Sequence, residues 1–432
     1  MFGSFSLVIS QLVNVFAGFF ITGMLTRYLL PDEFGLWSLI MSLTGIFGGI
    51  DFGFANALRN KMSQLYVDKE KNDELIKKYY FSIFYAFVLW AIFITIVVVV
   101  LKPFVNWSML FKTTKYSIVR DGSLLFIIGA SVFSFNLAFS VSTVGFFSYQ
   151  ESHWNAVIGI IFKILLLAVT FVLIKYHSTF VVLNSAFLFV TVISGIISFT
   201  FFNIKRKWSL ILLQSKIVAN SIRKLFGKSM QFIMLQIAAI VYAQIDLFII
   251  SKILGLESVG EFSLVKKLFL VFFAFQFSFL MPIWSAYTEA VESNDFLWVK
   301  RIVSKSALYS VVIFAFLMLF FAIFGPFIIH VWTGKSIDNR IIYLLLGIFY
   351  ILTAWSTSFS VFLNANNLLK KQIVLLSLSS VMLIILSIIL CRHYGLIGIC
   401  IALTLTSLPL AISNPIQSYN FIRKRGYRTG HE

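Results

Sequence analysis

Lys163, Lys266, Lys267, Asp51 and Asp246 are the side chains best placed for chemistry, because each interrupts an apolar run long enough to cross a bilayer. A charge at the bilayer centre costs roughly 2.5–3.5 kcal/mol on insertion scales, so each requires a compensating environment. Lys163 lies about 10 Å into its run at 1.5 Å per residue, and the lysine pair lies about as deep in another. Two environments meet that cost. The lysine stems can snorkel to an interface, or the ammonium groups can line a water-filled cavity and attract an anion. Lys266 and Lys267 project about 100° apart on a helix, so they face different surroundings.

Asp51, Ala55 and Arg59 stand at i, i+4 and i+8, which leaves the two charges about 12 Å apart along a helix axis and too far to pair. Arg59 would sit at the mouth of its span, either as an anchor or to capture an anionic head group. Gln11, Asn14, Gly18 and Thr22 recur at helical spacing as a small polar stripe. Such a stripe serves helix–helix packing or lines a cavity. Gln236 repeats Gln11 later in the chain.

Bond-making chemistry finds no constellation. There is no Walker-type glycine loop to bind ATP, no serine–histidine or paired-carboxylate arrangement, and the five histidines are scattered. No set of Cys, His and carboxylate residues has metal-ligand spacing, so neither an enzyme nor a resident metal or cofactor is expected. Cys391 and Cys400 flank a short turn, where two buried thiols are favoured over a disulfide.

These residues must be carried by membrane helices. Aliphatic and aromatic residues make up 59% of the 432 residues and charged ones 12%, against about 25% charged in soluble proteins. A soluble fold could not hide that apolar surface, whereas lipid removes the problem. The first apolar segment is too long for a cleavable signal and has no small-residue cleavage site, so it is expected to remain as a span. Apolar windows of about 20 residues fall at 2–25, 34–57, 80–101, 122–146, 156–174 and 180–202. Six more fall at 229–251, 259–283, 306–330, 341–363, 373–391 and 397–413. The expected fold is all-α and polytopic, with twelve transmembrane helices. Longer polar connections fall at 58–79, 102–121, 203–228 and 284–305.

Numbering the connections alternately places 22 Lys and Arg on one side and 10 on the other, with three inside spans. The excess puts both termini in the cytoplasm. It also explains the net charge of +18 through orientation and anionic membrane lipids rather than nucleic acid. Trp107, Trp154, Trp208 and Trp332 fall near span ends, as in an interfacial belt. An interfacial amphipathic helix is expected around 208–213.

The hydrophobic pattern is written twice, about 225 residues apart. Gln11 aligns with Gln236, Thr26-Arg27-Tyr28-Leu29 with Ser251-Lys252-Ile253-Leu254, and Asp32 through Leu39 with Glu257 through Leu264. Pro103-Phe104 returns as Pro326-Phe327. Two pseudo-symmetric six-helix lobes are therefore expected, 1–202 and 229–413, joined by a basic cytoplasmic linker, 203–228, and followed by a basic cytoplasmic tail, 414–432. Duplicated units of this size build many transporters, with the substrate path between the copies. Lys266 and Lys267 break the repeat at Met41 and Ser42, and Asp246 replaces Ile21, so charge is distributed unequally between the copies.

The segment Arg27-Tyr28-Leu29-Leu30-Pro31-Asp32-Glu33-Phe34-Gly35-Leu36-Trp37-Ser38 resembles bacterial polysaccharide flippases of the Wzx type. These belong to the multidrug/oligosaccharidyl-lipid/polysaccharide exporter superfamily. Asp51 through Lys61, and Asp246-Leu247-Phe248-Ile249-Ile250 with Gly255 and Val259-Gly260, are similar to its second-span exit and second-lobe start. The chain departs from the pattern in lacking a basic stretch before the first span. The resemblance implies lobes that rock around a central cavity in the bacterial inner membrane. Its cargo would be an undecaprenyl-pyrophosphate-linked oligosaccharide for O-antigen or capsule assembly, with a gradient of H+ or Na+ involved. Polysaccharide polymerase and chain-length machinery would be partners. Arg59, Lys163, Lys266 and Lys267 would supply the cations a pyrophosphate needs. The alternative within the superfamily is an ion-coupled drug antiporter, which would call for acidic rather than basic residues in the cavity. An O-antigen polymerase or ligase would call for a large external loop rich in arginine, whereas 102–121 holds only Arg120.

Overall fold

The computed structural model describes residues 2–49, 51, 53–66, 69–209, 215–226, 230–366 and 368–429. Among them every regular element is helical: α1 (Phe2–Tyr28), α2 (Pro31–Gly49), α3 (Phe54–Tyr66), α4 (Lys69–Leu101), a short 3-10 turn (Lys102–Phe104), α5 (Trp107–Phe111), α6 (Tyr116–Phe139), α7 (Val141–Ser148), α8 (Ser152–Lys175) and α9 (Phe180–Arg206). There follow α10 (Ser215–Phe226), α11 (Met230–Ile253), α12 (Leu256–Glu292), α13 (Phe296–Thr333), α14 (Arg340–Ala365) and α15 (Lys370–Thr429).

Lipid is the solvent these helices are built for, and α13 shows why. One face packs inward through Val303, Ala307, Ser310, Phe314, Leu317 and Phe321. The opposite face carries Leu308, Val312, Phe316, Leu319 and Ile323, all exposed and equally apolar. In water that second face would be polar; here it meets hydrocarbon. By length and apolarity, 10 described helices can cross a bilayer. Two places account for the difference from the twelve windows. The windows 373–391 and 397–413 are the two arms of α15, which bends at Gly395 through a backbone of φ +58°, ψ −136°. The window 34–57 is not one continuous helix: α2 stops at Gly49, and the chain turns through Gly53 at φ +69° before α3 begins. Positive φ is accessible to glycine without a Cβ penalty.

The connections expected to be polar loops are largely helical. The segment 58–79 is divided between α3 and the start of α4, whose 33 residues span ~50 Å and so outreach a ~30 Å hydrocarbon core. The segment 284–305 is the meeting of α12 and α13, with Asp295 capping α13 by accepting from Trp298 N at 3.0 Å. Within 203–228, α10 packs on α4 and α3. Much of the amphipathic stretch expected at 208–213 lies outside the described residues.

The chain divides into two compact units, 1–240 and 241–432, so the boundary falls within α11. In unit 1, α6 packs on α2, α4 and α9, while α8 packs on α1 and α9. One end of the unit holds an aromatic core of Tyr80, Phe81, Phe84, Phe199, Phe202 and Trp208. Gly145 permits it, since a Cβ there would lie 2.5 Å from the Phe202 ring. Trp208, expected in an interfacial belt, is buried in this core instead, and its indole Nε1 donates to Asp73 Oδ2 at 3.3 Å. In unit 2, α14 is the central helix, packed by α12, α13 and α15. Polar side chains cross between these helices: Gln276 Nε2 donates to Ser310 Oγ and Ala354 O, both at 2.8 Å, and Asn414 Nδ2 to Ser360 Oγ at 2.8 Å. In hydrocarbon such bonds hold helices together where hydrophobicity cannot. Cys391 and Cys400 are buried and form no disulfide.

Candidate functional site

Unit 1 places its polar residues around a cavity of about 200 Å3 between α1, α6, α7, α8 and α9. Asn14 and Ser10 reach it from α1, so one member of the polar stripe, Asn14, lines this cavity. Gln11, Gly18 and Thr22 do not. Thr22 is buried and its Oγ1 donates to Gly18 O at 2.7 Å, a bond to its own helix. Gln11 is half-buried on the same helix. Opposite Asn14, Thr143 Oγ1 donates to Asn155 Oδ1 at 3.0 Å, and the Ser142 and Ser198 hydroxyls lie 2.9 Å apart. Asn136 Oδ1 is buried with no hydrogen-bond partner. Among the described residues no charged side chain lines the cavity.

Lys163 is half-buried on α8, one turn beyond the lining residue Gly159 and two turns, about 12 Å, beyond Asn155. It therefore continues the face of α8 that the cavity uses. Among the described residues no carboxylate lies within ion-pair distance of it.

Asp51 and Arg59 are parted by the break in the second window. Asp51 Oδ1 accepts from Gly53 N at 3.0 Å and Oδ2 from Ala55 N at 3.2 Å, so the carboxylate caps α3 and faces the positive end of its dipole. Arg59 is exposed on α3, with its guanidinium 4.8 Å from the centre of the Phe147 ring. Gln236, the repeat of Gln11, donates from Nε2 to Gly49 O at 2.7 Å and so satisfies an orphan carbonyl where α2 ends.

Unit 2 brings two of the candidates together. Asp246 on α11 is completely buried, and its Oδ2 accepts from Lys266 Nζ on α12 at 2.5 Å. Lys266 Nζ also donates to Ala243 O at 3.1 Å and lies 5.9 Å from the centre of the Phe262 ring. Asp246 Oδ1 accepts from Leu247 N at 2.8 Å. One turn away, the Tyr242 hydroxyl lies 3.2 Å from Thr406 Oγ1, which joins α11 to α15. The pair is neutral as a whole, so the charge of Lys266 is already answered inside its own unit. Lys267 is half-buried beside it on α12.

Asn136, Asn155, Thr143 and Ser142 went unnoticed in the sequence. The signal for Asn136 and Asn155 was a carboxamide in or beside an apolar span, where each requires a hydrogen-bonding neighbour; the hydroxyls of Ser142 and Thr143 carry no such signal.

Among the described residues these arrangements are hydrogen-bonded polar groups and one buried ion pair. They can bind and release. Residues 2–287 match the family of polysaccharide biosynthesis proteins. The chain belongs to that family. A Salmonella typhi protein named as an O-antigen transporter is 20% identical over 387 residues, which is 87% of this chain and 85% of the relative. Among solved structures, an inward-facing multidrug resistance MATE family transporter of the MOP superfamily has a TM-score of 0.75 at 14% identity, over 96% of this chain and 95% of that one. The lipid II flippase MurJ, in an inward closed conformation, has a TM-score of 0.69 at 15% identity, over 98% of this chain and 90% of that one. At these identities the shared ground is the fold. What is shared is therefore a family of polysaccharide biosynthesis and an all-helical fold, with 10 described helices long and apolar enough to cross a membrane.

Proposed function

We propose that this protein is a flippase that carries an undecaprenyl-pyrophosphate-linked oligosaccharide from the cytoplasmic to the periplasmic leaflet of the bacterial inner membrane. The product would feed O-antigen or capsule assembly, with polymerase and chain-length proteins downstream. The family match over residues 2–287 carries this reading, because it assigns the chain to polysaccharide biosynthesis while 10 of its described helices are long and apolar enough to cross a membrane. Physical chemistry supports it. The cargo has an apolar tail, an anionic pyrophosphate and a neutral polar head. Lys163 and Arg59 are cations without a carboxylate partner among the described residues. Their attraction to an anion strengthens wherever water is excluded. Both termini lie in the cytoplasm on this reading, in keeping with the excess of 22 basic residues over 10. A proton or sodium gradient would supply the direction of transport.

Deleting the gene tests the function. Surface polysaccharide should disappear while lipid-linked repeat units accumulate facing the cytoplasm, and a plasmid copy should reverse both. Loss of polysaccharide without accumulation would place the protein at another step, and unchanged polysaccharide in a strain with no second copy would end the reading.

A further inference from the structure

We propose that the cavity of unit 1 is a subsite for one neutral sugar ring, a proposal that rests on the transport of lipid-linked oligosaccharide set out above. Its lining decides the class of ligand. A pyrophosphate, or any other anion, would be met by no cation there, and a metal ion by no carboxylate. Bringing an ion into such a site would leave its desolvation largely unrepaid. What the lining offers is neutral donors and acceptors in both senses: carboxamides from Asn14, Asn136 and Asn155 and hydroxyls from Ser140, Thr143 and Ser194. Carboxamides on three different helices can each address a pair of neighbouring ring hydroxyls. Phe139 and Ile158 add an apolar wall for the C–H face of a pyranose.

Size and satisfaction agree with this. About 200 Å3 would hold roughly six or seven waters at ~30 Å3 each, a cluster of about the size that a hexose with its hydroxyls would replace. Among the described residues the buried Asn136 Oδ1 has no partner; it packs against Gly195, and a rotation of the carboxamide would present it to a sugar hydroxyl. Packing guards that atom. A Cβ at Gly195 would lie 2.1 Å from Asn136 Oδ1 and 3.1 Å from Phe139 Cβ. Only glycine at 195 leaves the carboxamide where it is. Most of the polar lining is half-buried rather than sealed, so the cavity is reachable from the surface of its unit.

The full-length protein in detergent micelles can be tested with methyl glycosides of the common neutral hexoses and N-acetylhexosamines. Saturation-transfer NMR then reads the ring C–H protons, with inorganic pyrophosphate and sodium chloride as competitors. At least one glycoside should give a signal that falls at least fivefold in Asn136→Leu and in Gly195→Ala, and pyrophosphate should not displace it. Thr143→Val, nearly isosteric, should weaken the same signal and keeps the test decisive if the larger changes disturb folding. In cells the same variants should lower export of the native repeat unit at least tenfold at unchanged abundance. Absence of any glycoside signal, displacement by pyrophosphate, or variants that bind and export as wild type would overturn the subsite. The two proposals fail separately. Normal export by all three variants defeats the subsite alone, whereas glycoside binding by a protein that exports no lipid-linked units defeats the transport reading alone.

Discussion

Removing one member of the Asp246–Lys266 pair should destabilise the protein far more than removing both. At 2.5 Å and an effective dielectric of about 20, the attraction between the charges is about 7 kcal/mol. Burying them costs several kcal/mol for each ion, so the net worth of the intact pair is small. Stranding one charge is another matter. Asp246 has no exposed surface, and Lys266→Met would leave its carboxylate without its ammonium partner and held by Leu247 N, at a cost of about 3–5 kcal/mol. Asp246→Leu would strand a lysine whose side chain is 13% exposed, with slightly more relief from snorkelling. The double variant exchanges two charges for apolar groups of similar reach and should recover most of the loss. Thermal unfolding of the purified protein in detergent, combined with abundance in membranes, gives the full cycle. A coupling below about 0.5 kcal/mol, with both single variants as stable as wild type, would refute the buried-pair account.

Asp51→Ala should cost about 1 kcal/mol through loss of the α3 cap, while Asp51→Asn, which still accepts a hydrogen bond, should keep most of it; equal loss in both by thermal unfolding would assign the role to charge instead. Lys163→Ala should lower polysaccharide export without lowering abundance, with Lys163→Arg partly restoring it; normal export by the alanine variant would make Lys163 a snorkelling anchor. A reporter fused after Arg425 should be active only if it works in the cytoplasm; periplasmic activity there would reverse the orientation drawn from the basic residues.

The helical, membrane-spanning character of the chain was legible because apolar residues dominate both faces of segments such as α13, and no soluble fold accommodates that. The break in the second window was harder to see. Ala55 and Leu58 continue the apolar pattern on the far side of it, and only the Asp51–Gly53 spacing, an Asx turn with a positive-φ glycine, marks the cap of a new helix. Trp208 was misplaced because an aromatic residue near a span end reads alike whether it faces lipid or packs under a neighbouring helix. Asp246 and Lys266 were visible singly, as costly intramembrane charges. Their pairing was not, since it depends on the rotation of α11 against α12, and near-uniform hydrophobicity around a membrane helix conceals which side faces a neighbour. The cavity of unit 1 draws on five helices, so no local pattern could announce it.

Transport itself is measured most directly in proteoliposomes that carry the purified protein and a lipid-linked oligosaccharide distributed over both leaflets. A membrane-impermeant lectin or sugar-oxidising reagent then reports how much of the pool reaches the outer surface. With this protein and an imposed proton or sodium gradient, the accessible fraction should rise beyond the outer leaflet's share, and the rise should be lost in Lys163→Ala. An accessible fraction that stays at the outer leaflet's share, with protein present and any gradient applied, would contradict the account.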